Sequence, residues 1–531
     1  MQSESRSNRR DVLKGALAAG VVAGVSPVLQ ATEGLSPATA ATNDKKVSPS
    51  RSDLIRAENA KLGTTDWRLT NTRVDRKSKF RSPWIEGYCS RTSVRAGENL
   101  SIMVSTNPES PFKIDIYRLG YYGGTGGRLV QELGSFKGTV QPDPEVGPER
   151  LRECQWEPSI TIDIPTDWVS GVYVGKLTAE REGLQSYVIF IVRDDRQCDF
   201  LFQCSDSTWQ AYNRWPDRWA LYNDGSKNNW YTGPDVCVSW DRPYAKSSHI
   251  NDLPGTQGSG EFLLWEFPMA YWMEKEGYDV SYISNLDTHA DGMKLMRAKA
   301  FLSVGHDEYW SRAMYDNMLA AVAGGMNAAF FSGNTCWGLV PFMPSSAGVP
   351  NRIFSRIGQF GPMEPMALKR YPETGRFKQF APTEANLIGA RNIFPYCGVQ
   401  DWICSDEKHW IYAGTGMKNG DAIPHLVGWE WHGNPADIPG LCVVAKGLMT
   451  YNKDQGTYTA TVYPGPKDNW VFNASTIWWS DGLSAPPGYR SPSHPSPAAV
   501  GRAHENAGPQ GPNPKVQQIT ANILNRFCGQ S

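Results

Sequence analysis

Ala300-Phe-Leu-Ser-Val304, Gly305-His-Asp-Glu-Tyr-Trp310 and Ser311-Arg312 follow one another without a break in the middle of the chain. The first segment reads as a buried strand. Ser311 suits the N-cap of a helix from Arg312 to Ala323, which Gly324-Gly325 ends. Asn327–Phe331 then reads as the next strand. Upstream, Phe200-Leu-Phe-Gln203 is a short apolar run, Glu261 to Gly277 has helical spacing with a glycine stop, and Val280–Ile283 reads as a strand. Strand–helix–strand alternation at these lengths predicts right-handed βαβ units on a mostly parallel sheet. Beyond Gly338 the periodicity becomes irregular. Loops, short strands and one or two helices packed on that sheet are expected there, ending in a helix over Val516–Phe527.

The six residues Gly305 to Trp310 sit after a strand, at the sheet edge where open parallel sheets bind ligands. His306 and Glu308, two apart in an extended turn, can face the same side. That pair suits a metal ligand with a hydrogen-bonded partner, or an acid and base. Helix capping by Asp307 or Glu308 is the plainer use of the same residues. No G-x-S-x-G or G-x-C-x-G occurs in the chain, which disfavours a covalent Ser or Cys hydrolase.

Working toward the N-terminus, Trp84 to Asp194 alternates apolar and polar residues with period two. Asn99–Ser105, Phe112–Tyr117 and Ile160–Ile164 are the clearest runs, separated by turn clusters such as Asn107–Pro111. Short strands at this spacing predict an immunoglobulin-like β-sandwich, which carries no chemistry by itself. Ser7-Asn8-Arg9-Arg10-Asp11-Val12-Leu13-Lys14 precedes an apolar run from Gly15 to Leu29. Fifteen residues broken by Pro27 are too few for a spanning helix, which needs about 20. The paired arginines and the small residues at Ala38-Thr39-Ala40 predict a twin-arginine signal over 1–41, with export to the periplasm or beyond. The expected division is then a linker at 42–83, the sandwich at 84–195, and an α/β domain with a C-terminal extension at 196–531.

The balance of 53 Lys+Arg against 54 Asp+Glu argues against nucleic acid as a partner. No membrane span is expected in the mature chain. A small-molecule substrate is the expected partner, and a homo-oligomer stays open. Ten cysteines lack any CxxC spacing, so zinc and Fe–S sites are weakly supported; buried free thiols or pairs such as Cys198/Cys204 and Cys397/Cys404 fit. Trp outnumbers Phe, 20 against 19, which suggests rigid or stacked surfaces.

Three further stretches hold candidate side chains. Asp287 and His289 have metal-ligand chemistry, although a capped turn is the commoner use. Tyr212, Tyr222 and Tyr244 lie in the long loop after the sheet's first strand, as core, stacking or hard phenolate donors. Glu430, between Trp429 and Trp431, reads either as an acid or base of raised pKa in apolar surroundings or as a strand residue with buried neighbours.

Taken in order, Tyr117-Arg-Leu-Gly-Tyr-Tyr-Gly-Gly124, Thr208-Trp-Gln-Ala-Tyr-Asn213, Gly305-His-Asp-Glu-Tyr-Trp310, Gly333-Asn334 and Val427-Gly-Trp-Glu430 resemble the large (beta) subunit of N,N-dimethylformamidase and its relatives over roughly residues 84 to 485. That resemblance implies a β-sandwich followed by an amidotransferase-like, flavodoxin-like α/β domain. It implies one iron, as Fe(III), held by two tyrosines and a glutamate and hydrolysing a small amide. Carried onto this chain, the ligands are Tyr212, Glu308 and Tyr222, with Tyr244 as the alternative to Tyr222. His306 becomes the hydrogen-bonded neighbour and Glu430 the catalytic carboxylate. Two features depart from the family: the dimethylformamide enzyme works with a small partner subunit that nothing in this chain supplies, and its relatives are cytoplasmic.

A metal-dependent hydrolase of small amides or related C–N bonds is therefore the first reading. An exported, non-catalytic binding protein with a Trp-rich crevice for a carbohydrate or other flat ligand is the second. A glycosidase using Glu308 and Glu430 is the third, and it requires carboxyl groups about 5 to 9.5 Å apart.

Overall fold

Ala298–His306 lies inside a nine-stranded sheet, flanked on both sides by parallel partners. The description comes from a computed structural model that covers residues 52–226, 230–246, 254–451, 453–491 and 511–529. Val280–Ser284, Cys198–Cys204, Ala298–His306, Asn327–Gly333 and Trp470–Asn473 pair in that order, all parallel. Asp454–Pro464, His432–Pro435 and Ala390–Asn392 continue the sheet antiparallel, and Cys442–Tyr451 pairs with Asp454–Pro464. The result is a mixed, β-rich protein.

The parallel strands are apolar on both faces because both faces are covered. Phe200, Phe202, Ala300, Leu302 and Val304 pack with Phe267, Met269 and Met273 of the helix Phe267–Glu276. Their neighbours Leu201, Phe301, Ala328 and Phe330 face the other way, against Met314, Tyr315 and Met318 of Arg312–Ala323. The expected boundaries hold at this second helix, where Ser311 Oγ accepts from the Met314 amide. They shift at the first, which begins as a π-helical turn over Phe262–Glu266 and ends on Gly277 at φ +75°.

The stretch after Gly338 departs from the expectation of loops, short strands and one or two helices packed on the sheet. Much of it extends the sheet, because Cys442–Tyr451 and Asp454–Pro464 form a long hairpin of ten and eleven residues. Short runs of alternation with Gly, Thr and Lys interspersed hide such strands from a periodicity reading. The terminal helix is Pro514–Phe527, close to the expected span.

Upstream, Glu86–Cys89, Asn99–Ser105 and Ile160–Asp163 form one sheet. Ser93–Arg95, Gln185–Arg193, Gly171–Ala179, Phe112–Leu119 and Gly127–Phe136 form a second. Side chains from both fill one buried cluster, including Val94, Ile102, Ile114, Leu177 and Phe190. Tyr117 to Gly124 joins this part to the mixed sheet: Arg118 and Glu274 form a bidentate ion pair at 2.8 and 2.9 Å with both side chains fully buried. Gly120 leaves room for it, since a Cβ there would lie 2.3 Å from Glu274 Oε2.

The expected signal segment and the first residues of the expected linker lie outside the described residues. From Ser52 onward the chain is packed: Asp53–Asn59 is a helix with Ile55 buried, and Trp67 joins the main core. Composition suggested a loose tether because the buried residues are few and widely spaced. Cys198, Cys204 and Cys404 are free thiols, and Cys198 and Cys204 stand at opposite ends of one strand. No helix of the described residues is long and apolar enough to cross a membrane. Truncating Glu274 to Ala strands a buried guanidinium and should lower the unfolding free energy by about 3–5 kcal/mol, measured by denaturant titration.

Candidate functional site

The end of Ala298–His306 is shaped by two close approaches. Gly305 sits at φ +74°, and a Cβ there would lie 2.6 Å from Trp265 Cβ, so the strand and the π-helical turn touch backbone to side chain. Beyond it, Asp307 turns inward, where Gln203 Nε2, Ser303 Oγ and Asn285 Nδ2 all donate to its carboxylate. Glu308 and Tyr309 are pinned from the other side. Thr208 Oγ1 accepts the Glu308 amide at 2.9 Å, and Ser207 Oγ donates to the Tyr309 carbonyl at 2.7 Å. Neither Asp307 nor Glu308 takes the plainer capping use; the following helix is capped by Ser311.

Thr208 belongs to the helix Asp206–Tyr212, whose last residue points at Glu308. The loop that follows is knotted by Arg242, a fully buried guanidinium that donates to the carbonyls of Gln210, Asn213, Trp215 and Trp219. That knot returns the chain so that Tyr222 stacks on Tyr212 with ring centroids 4.6 Å apart. Tyr212 Oη donates to Glu308 Oε2 at 2.6 Å, Tyr222 Oη lies 3.0 and 3.2 Å from the two Glu308 oxygens, and the phenol oxygens are 2.7 Å apart. Burial, reinforced by Glu308, pushes both phenols well above their ordinary value.

Glu430 arrives from the far side of the sheet. Of its two readings, the strand position is not what forms: Glu430 lies in a three-residue turn, 429–431, between Ala422–Gly428 and His432–Pro435, with Trp429 at φ +44° and Glu430 at φ +69°. Left-handed backbone at two non-glycine residues is costly and concentrates at functional sites. Gly333 permits the approach, because a Cβ there would stand 2.1 Å from the Glu430 carbonyl. His306 Nε2 is 2.5 Å from Glu430 Oε2 and 3.3 Å from Glu308 Oε2. Burial opposes charging His306, but the Glu430 and Glu308 carboxylates outweigh it and hold the imidazole well above its ordinary value. Burial raises Glu430 against the pull of His306, and Asn334 hydrogen-bonds the same carboxylate.

Tyr212, Tyr222, His306, Glu308 and Glu430 thus meet in one cluster, from four separated segments. Tyr244 does not join it; it packs near Trp209, 6.4 Å between centroids, beside Arg242 and Arg352. Asp287 and His289 are structural. Asp287 completes a capping box with Ser284 and pairs with Arg193, and His289 Nδ1 bonds Ser311 Oγ.

The sequence reading missed Tyr309, Arg356 and Glu261. Tyr309 Oη lies 2.5 Å from Tyr222 Oη, and Arg356 Nη1 donates to it at 2.8 Å. Glu261 precedes the π-helical turn and is raised by burial to about 8, with His306, Glu430 and Glu308 as its charged neighbours. Tyr309 stood inside the quoted Gly305–Trp310 motif, so a third phenol was available to be weighed. Arg356 and Glu261 carry no local signal.

Two groupings of donors are available, and they share Glu308. Tyr212, Tyr222 and Glu308 offer three oxygens; His306, Glu308 and Glu430 offer ligand atoms that all lie within 4.8 Å of one another. That closeness puts the two carboxylates at or below the short limit of the glycosidase reading. Its carboxylates must flank a sugar ring at about 5 Å or more, whereas these two sit on one imidazole edge. Fourteen of the 20 tryptophans are buried, so their excess serves packing more than a stacking surface.

Fold and site together define a class: a mixed sheet with a parallel core whose strand ends carry a buried phenol–carboxylate cluster beside an imidazole–carboxylate pair. A family model described as N,N-dimethylformamidase beta subunit-like, C-terminal, matches residues 113–493. The chain belongs to that family, whose resemblance suggests a hydrolase-like function. A search of curated proteins found no match.

His432, two residues after Glu430, ties this corner together. Its Nε2 accepts the Thr335 amide at 3.1 Å, Nδ1 bonds Asn473 Oδ1 at 2.7 Å, and burial lowers it to about 4. An unfolded His charges near pH 6.5 and the folded one near 4, so the unfolded state binds the extra proton between these values. Stability should therefore fall as the pH drops through that window, by about 3 kcal/mol in all. Urea titrations from pH 7 to 4 on wild type and His432→Gln check this, the variant losing that part of the slope.

Proposed function

We propose that the chain is an iron-dependent hydrolase of a small amide or related C–N bond, with Tyr212, Tyr222 and Glu308 as the metal ligands. The observation that carries the reading is the set of three oxygens 2.6–3.2 Å apart. Metal–oxygen bonds of about 2.0–2.1 Å in an octahedron place neighbouring ligands about 2.9 Å apart. Phenolates and a carboxylate are hard donors, so the set fits a hard cation such as Fe(III). Iron held there would polarise an amide carbonyl and acidify a water.

The remaining steps belong to the protein. Glu430, with Oε2 against His306 Nε2, takes a proton from the attacking water and returns it to the leaving nitrogen as the C–N bond breaks. His306, held in its charged form between Glu430 and Glu308, orients both carboxylates. Asn334 fixes the Glu430 carboxylate. Trp230, stacked on Tyr222 at 4.2 Å, and Trp429, 6.0 Å from the His306 ring, flank the cluster and limit water. In this reading the upstream pair of sheets is the immunoglobulin-like sandwich, and the mixed sheet is the amidotransferase-like domain, divided near residue 195. Twin-arginine export would deliver the enzyme folded, with its metal in place.

Purified protein should contain about one iron per chain and absorb in the visible region through tyrosinate-to-iron charge transfer. Glu308→Ala should lose the iron, and Tyr212→Phe should lose activity while keeping the ring stack and the fold. Full iron content in Glu308→Ala rejects these ligands. A metal-free wild type that still binds an aromatic or sugar ligand favours the binding-protein reading.

A further inference from the structure

The third phenol and its buried cation form a directed chain that ends on the proposed ligands. Arg356 is 1% exposed, and no described carboxylate forms an ion pair with it. Its Nη2 donates to the carbonyls of Tyr231 and Gly233 and its Nη1 to Tyr309 Oη. Its guanidinium carbon also lies 4.8 Å from the centre of the Tyr222 ring. An isolated buried guanidinium is costly, so the charge that balances it must be nearby. Among the described carboxylates, Glu308 is the one that acts on its charge.

Proton counting sets the direction. A guanidinium only donates, so Tyr309 Oη accepts from Arg356 and has one proton left to give. Tyr222 Oη, 2.5 Å away, receives it, and Tyr222 in turn faces Glu308 at 3.0 Å. The order from positive to negative end is Arg356, Tyr309, Tyr222, Glu308. Tyr309 cannot swing out of this line: a Cβ on Gly338 would be 2.6 Å from its ring, and its backbone is held by Ser207. We infer that Tyr309 and Arg356 are positioning residues for Tyr222, supplying the hydrogen bond and the positive charge that let its oxygen serve as an anionic ligand.

This inference rests on the metal-ligand reading of Tyr222, and the experiment separates the two. Wild type, Tyr309→Phe, Arg356→Lys and Arg356→Gln are loaded with Fe(III), and iron affinity and the visible spectrum are measured. Partners of metal ligands change affinity by about 10–100-fold when removed. Arg356→Gln should weaken binding by that factor, Arg356→Lys by less. Tyr309→Phe should keep the iron but move the tyrosinate band to longer wavelength, because an unbonded phenolate oxygen is a better electron donor. If Arg356→Gln does not fold, Tyr309→Phe, which removes one oxygen from a locked ring, decides alone. Wild-type affinity and band position in every variant overturn the positioning role while the ligand assignment stands. A wild type that takes up no iron overturns both.

Discussion

The carboxylate of Glu308 is buried, and a buried carboxylate without partners is too costly to keep. Everything around it follows from that constraint. Two phenol hydroxyls, a backbone turn locked by Thr208 and an imidazole edge converge on its two oxygens. The helix Asp206–Tyr212 and the Arg242-knotted loop bring the phenols, and the strand end brings His306. None of these segments could drift without exposing a charge to low dielectric. The cluster therefore selects one arrangement of loops over the crevice, which is how polar networks specify structure when every member is satisfied.

The same logic operates at a distance in Tyr117–Gly124. That motif touches none of the five converging residues. It anchors instead through Arg118 on Glu274, with Tyr122 Oη donating to Glu58 at 2.7 Å. Glu274 belongs to the helix whose π-helical first turn presses Trp265 against Gly305. A sequence motif far from the cluster thus fixes the helix that fixes the strand end, and its residues are as constrained as the cluster residues they never meet.

Much of this was legible in the sequence, for identifiable reasons. Parallel strands covered on both faces read as apolar runs, and Ser311 and Gly277 mark helix ends by local chemistry, so the core of the mixed sheet could be drawn from periodicity. His306 and Glu308 stood out because they follow a strand. Glu430 was picked for its aromatic neighbours, but its left-handed turn was invisible, since nothing in Trp-Glu-Trp announces positive φ. Choosing Tyr222 over Tyr244 needed the family resemblance. Arg356 and Glu261 could not be found, because their importance lies wholly in what long-range packing sets beside them. The hairpin of Cys442–Tyr451 and Asp454–Pro464 was missed because residues such as Lys446, Gly447, Gly456 and Thr457 break up the alternation of its strands.

The two donor groupings that share Glu308 cannot serve one ion equally well, and the proton inventory favours the phenols. His306 Nε2 lies between two carboxylates and is held in its charged form by them, so it is a donor in that state and has no lone pair there to offer. Using it as a ligand would require removing that proton first. The phenols face the opposite situation. They carry protons that a metal would displace, and Tyr222 has behind it a hydrogen-bond donor and a guanidinium that no described carboxylate pairs with directly. Positive charge is thus stationed behind the phenol side of Glu308, and a charged imidazole on the other. On the proposed reading the cluster is divided by charge into a side that holds a cation and a side that moves a proton, with Glu308 as the boundary between them.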